Sequence, residues 1–91
     1  MELDRLPGGD LVAKGLDDVR HGVESVEALL VSIGAERLRA VGIDLPRRQV
    51  GFPEDRLYDL LAVEDSDSAH GRYNALVRRL VSFERAAESV R

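Results

Sequence analysis

The residues with the strongest chemical potential are few. His21 and His70 are the only histidines, and each stands beside carboxylates: Asp17 and Asp18 for the first, Glu64, Asp65 and Asp67 for the second. Asp17 and His21 are four apart, the spacing that places two metal ligands on one face of a helix. A useful divalent site needs three or four ligands, so a carboxylate–histidine centre would form only if the two clusters met in space. Without that meeting, Asp17 and Asp18 are a solvated helix face, His21 faces a helix C-terminus, and Asp65 or Asp67 caps the following helix. The expectation is therefore no bound metal and no cofactor, with a metal-dependent enzyme ranked third among the functions considered.

Other catalytic constellations are incomplete. Ser66 and Ser68 lie too close in sequence to His70 for a nucleophile–base pair, and no Gly-x-Ser-x-Gly elbow is present. Gly8-Gly9 lacks the Gly-Lys-Ser/Thr that completes a phosphate cradle, and Asp10 places a negative charge where an anion would bind. The absence of cysteine removes disulfides, thiolate nucleophiles and Cys-ligated metals.

Arginines give the next signal. Twelve of the thirteen basic residues are Arg, yet the net charge is −4, which argues against binding a polyanion through bulk charge. A local patch of Arg47, Arg48, Arg78, Arg79 and Arg85 is the basis of a second reading, a small nucleic-acid-binding protein. Ser32-Ile33-Gly34-Ala35-Glu36-Arg37-Leu38-Arg39 resembles, over about eight residues, the glycine hairpin of helix-hairpin-helix DNA-binding modules. It departs from that hairpin where a second helical glycine is usual, having Val31 and Ser32 there. With four aromatic residues and no Trp, platforms for stacking bases are scarce.

These residues are positioned by elements that the hydrophobic periodicity defines. Asp10, after Pro7-Gly8-Gly9, is placed as the N-cap of a helix over 11–21, with Leu11, Val12, Gly15, Leu16 and Val19 in one arc of about 140° and Gly22 as the stop. Ser25 caps a second helix over 26–41 with a break at Gly34, and Ala28 to Val31 make it apolar on nearly every side. Gly42 suits a left-handed C′ position, with Ile43 folding back on Leu38 and Pro46 preventing continuation. Arg47 to Phe52 is a connection. Pro53-Glu54-Asp55 opens a short helix over 54–62, and a long helix over 69–89 carries Tyr73, Leu76, Val77, Leu80, Phe83 and Ala87 in one stripe. No stretch alternates with period two, so the fold class is all-α: a small four-helix bundle-like single domain over 1–91.

Charge alternates along the chain. Segment 1–31 has three basic and seven acidic residues, 32–50 four and two, 51–71 one and six, 72–91 five and two. Such segments attract within a monomer or across an antiparallel dimer. Arg72 and Arg79 lie beside the apolar stripe of the last helix, whereas Arg78 points away. Arg79 is expected to be partly desolvated and held by Asp59, Glu64, Asp65 or Asp67. The start of the chain has no basic region leading into an apolar one, and no apolar run approaches the roughly 20 residues that span a bilayer, so the cytoplasm is the expected setting and no membrane partner is foreseen.

The leading expectation is a non-enzymatic helical interaction or regulatory module that self-associates or takes a protein partner. Its interaction residues would be Leu30, Ile33, Arg72, Tyr73, Arg79 and Phe83. The premise is that a domain of this size buries only about 60–65% of its unfolded surface, and that the helix at 26–33 has more apolar faces than three neighbours can cover.

Overall fold

The computed structural model describes residues 3–46 and 51–90. A 3-10 turn, Leu3–Arg5, precedes five α-helices: α1 Gly9–Arg20, α2 Val26–Ile33, α3 Ala35–Ala40, α4 Pro53–Glu64 and α5 Ala69–Ser89. Among the described residues there is no strand. The fold is all-α and bundle-like, as the periodicity requires.

Local stop signals act as written in the sequence. At the end of α3, Gly42 takes φ 92°, the Gly42 N–H donates to the Arg39 carbonyl, and the Ile43 N–H donates to Leu38 at 3.0 Å. This double bond pattern satisfies carbonyls that the helix end would orphan. The same arrangement closes α1, where Gly22 has φ 70° and the Val23 N–H reaches the Asp18 carbonyl at 2.8 Å. Ser25 Oγ accepts from the Ala28 N–H at 3.0 Å and donates to Asp18 Oδ2 at 2.6 Å, so one hydroxyl caps α2 and ties it to α1.

Two starts differ from expectation. The first helix begins at Gly9 rather than Leu11, with Gly8 at φ 72° as its N-cap and no side-chain cap bond. Asp10 lies inside the first turn, where its charge complements the helix dipole without capping. Ser68 also makes no side-chain cap bond to α5. The Asp65 carboxylate accepts instead from the Asp67 N–H at 3.1 Å, an Asx turn within the loop.

One cluster of buried residues forms the core. Leu29, Leu30 and Val31 of α2 stand at its centre against Val12 and Leu16 of α1, Leu57 and Leu61 of α4, and Leu80 and Phe83 of α5. The all-round apolarity of α2 is thus absorbed within the monomer, because its neighbours cover it and only Val26 and Ile33 among its large apolar residues stay half-buried. Gly15 makes this close crossing feasible: a β-carbon there would stand 2.4 Å from the Glu27 carbonyl oxygen and 2.7 Å from Val31 Cγ1. The missing side chain lets α1 lie directly on the backbone of α2.

Candidate interaction groove

The α2–α3 break leaves a groove of about 460 Å³ where the α2–α3 junction, the first turn of α4 and the middle of α5 meet. Its apolar wall consists of Ile33, Pro53, Val77, Leu80 and Val81, and Glu36, Arg37, Glu54 and Glu84 add the charge. Each wall follows from local sequence. Gly34 divides the second helix and presents no side chain, Pro53 fixes the entry into α4, and Val77, Leu80, Val81 and Glu84 recur at helical spacing along one side of α5.

Glu84 is the one buried charged residue among those described, 3% exposed. Its Oε1 lies 3.2 Å from Nη1 of Arg37, whose Nη2 also binds Glu88 Oε1 at 2.8 Å. Burial pushes the Glu84 carboxyl above its ordinary range and the Glu88 charge adds to this, while Arg37 pulls in the opposite direction. Arg37 is itself held more firmly protonated, chiefly by its hydrogen bond to Glu88. The result is a carboxylate shielded on one side by Leu80 and the Gly34 backbone and neutralised from the other by a half-exposed guanidinium.

The residues named from sequence divide into three groups. Leu30 and Phe83 are fully buried in the monomer core and act through packing. Ile33 lines the groove. Tyr73 is half-buried on α5 and does not line the groove; its ring is 5.8 Å from Tyr58, and its hydroxyl is harder to ionise because of burial and of the Glu54 and Asp55 charges. The arginines depart further from expectation. Arg72 pairs with Glu64 at 2.8 Å, an acid of the neighbouring acidic segment, with both side chains well exposed. Arg79 pairs with none of the four acids expected; it binds Asp10 at 2.8 Å, and the two side chains are 49% and 70% exposed. It is a surface ion pair rather than a desolvated charge, since α5 crosses the start of α1 there and Arg79 faces solvent at that crossing. Arg78 and Arg85 are exposed and make no ion pair among the described residues. Arg47 and Arg48 lie outside the described residues.

The histidines stay peripheral. His21 lies 2.7 Å from the Asp17 carbonyl and 3.5 Å from Asp17 Oδ1, and His70 contacts Asn74 at 3.2 Å. Among the described residues no three His, Asp or Glu side chains come together as a metal centre would need.

Sequence reasoning passed over Glu84, Phe52 and the Asp10–Arg79 pair. Glu84 had a readable signal: Val77, Leu80 or Val81, and Glu84 follow i, i+3 or i+4, i+7, a second apolar row ending in a carboxylate. Phe52 had none, because nothing in its type foretells a backbone at φ 54° or a side chain 78% exposed. No protein-family model, curated protein or solved structure matches the chain. No helix among the described residues is long and apolar enough to cross a membrane.

Proposed function

We propose that this chain is a non-enzymatic helical interaction module that associates with itself, with the cytoplasm as its setting. The observation that carries the reading is the groove over Gly34: half-buried Ile33, Val77 and Val81 form an apolar wall that the monomer leaves uncovered, with charged residues at its rim. An apolar centre with a polar margin is the anatomy of a protein interface. Leu30 and Phe83 belong to the buried core, and Tyr73 precedes Val77 by one turn of α5. Ile33 is the one apolar residue of α2 that lines the groove, since Leu29, Leu30 and Val31 are buried inside the monomer. The reading does not depend on Arg79, which is engaged by Asp10.

A regulatory role through nucleic acid has one observation in its favour, the exposed Arg78 and Arg85, which make no ion pair among the described residues. The net charge of −4 and the acids Glu36 and Glu54 at the groove favour protein over a polyanion. Sedimentation equilibrium of the full chain at micromolar concentrations tests the proposal. A mass above 10.1 kDa that rises with concentration is expected. A single ideal species of that mass throughout removes self-association, and DNA or RNA binding lost on Arg78→Ala with Arg85→Ala would put the second reading first.

A further inference from the structure

We infer that two copies of this chain pair by reciprocal exchange, the Phe52 ring of each filling the groove of the other. The inference deepens the self-association proposed above and rests on it.

Phe52 is anomalous in the monomer. It is the one non-glycine residue with positive φ among those described, at φ 54° and ψ 56°, and its side chain is 78% exposed. A bulky residue in the left-handed region is strained, and strain of this kind persists where the surroundings or a function retain it. Among the described residues the ring gains no burial to offset it, lying largely in solvent; α4 receives no side-chain cap, and the Phe52 carbonyl accepts from the Arg56 N–H at 3.1 Å. Pro53, the next residue, lines the groove, so one peptide bond joins the exposed ring's residue to the groove wall. An anchor and a receptor side by side on one surface are what a two-fold axis converts into two identical contacts. The groove, about 460 Å³ and walled by Ile33, Val77, Leu80 and Val81, is roomy enough for an aromatic ring.

Charge fixes the orientation. Glu54 and Asp55 in the first turn of α4 are exposed and make no ion pair among the described residues. Arg78 and Arg85, equally unpaired, lie one turn before and one turn after Val81 on α5. When Phe52 of one copy enters the groove of the other, its adjoining acids come towards Arg78 and Arg85 beside the groove, whose two charges must outweigh the receiving acids Glu36 and Glu54, and the symmetry repeats the pairing. The remaining acidic and basic segments are largely satisfied at home, through Arg37 with Glu84 and Glu88, Arg56 with Glu24, and Arg79 with Asp10.

The test is sedimentation equilibrium on the full chain and two sets of variants. Phe52→Gly suits the backbone at φ 54°, so helicity by circular dichroism should be retained while the dimer dissociation constant rises by about tenfold or more. In the second set, Arg78→Glu/Arg85→Glu and Glu54→Arg/Asp55→Arg should each weaken self-pairing, and an equimolar mixture of the two chains should form a heterodimer. A wild-type dimer that Phe52→Gly leaves unchanged overturns the exchange while preserving self-association. A mixture no more associated than its components overturns the orientation, and a monomeric wild type removes both this inference and the reading beneath it.

Discussion

Gly34 and Glu84 share one small space: a β-carbon on Gly34 would stand 2.8 Å from Glu84 Oε2, and 3.1 and 3.2 Å from the methyl carbons of Leu80. What a methyl group would meet first is the movable end of a side chain. At Gly15 it would meet the Glu27 backbone carbonyl at 2.4 Å, which cannot rotate away. Gly15→Ala is therefore expected to lower stability by about 2 kcal/mol or more through forced separation of α1 and α2. Gly34→Ala should stay within about 1 kcal/mol, because Ala adopts the φ of −93° without strain and restricts the unfolded chain while the carboxylate shifts. Urea unfolding of both variants checks the ordering, and equal losses would contradict it.

Glu84 gives a pH signature of definite sign. Its carboxyl holds a proton more tightly in the folded protein than its ordinary value of 4.5 implies, so the folded state binds more protons than the unfolded state just above that value. Stability contributed by this group is complete below 4.5 and is lost as pH rises through the elevated folded value. Glu84→Gln removes the loss, so the melting temperature of the variant relative to wild type should rise across this window. A constant difference would show that Glu84 does not titrate abnormally.

Arg79→Ala is expected to reduce stability by only about 0.2–1 kcal/mol, the range of exposed ion pairs, because the Asp10 partner is also in solvent. The effect should shrink in high salt and should be matched by Asp10→Ala, with a double-mutant cycle giving the coupling. A loss well above this range would restore a desolvated role for the guanidinium.

Phe52→Gly should stabilise the dissociated monomer by a few tenths to about 1 kcal/mol, the relief of left-handed strain less the added entropy of glycine. Unfolding must be followed at dilutions where the wild type is monomeric, since association adds apparent stability. A destabilised monomer would mean that the ring makes intramolecular contacts after all.

The parts of this fold legible in the sequence are those decided within one turn of chain. Gly42, Ile43 and Leu38 close α3 with bonds between residues at most five apart, and Ser25 caps α2 three residues ahead. The stripe of α5 and the break at Gly34 are equally local, as periodicity and a missing β-carbon announce them. Asp10 and Arg79 are separated by 69 positions, and no spacing rule connects them. Arg37 and Glu84 lie 47 positions apart and meet only through the tertiary placement of α3 and α5, so of the groove's walls the sequence marks Gly34, Pro53, Val77 and Leu80 as structural positions and Ile33 alone as an interaction residue. The apolar excess of α2 was read correctly as a demand for burial, but the demand is met by α1, α4 and α5 rather than by a second chain.

Self-association through the groove over Gly34 should be visible in amide NMR spectra of the full chain recorded over a dilution series. Shifts that move with concentration should map to Ile33, Gly34, Val77 and Val81, while the shallower depression bordered by Leu3, Arg20 and Asp44 stays unchanged. Spectra that do not change with concentration, with tumbling that fits a 10.1 kDa monomer throughout, would contradict the account.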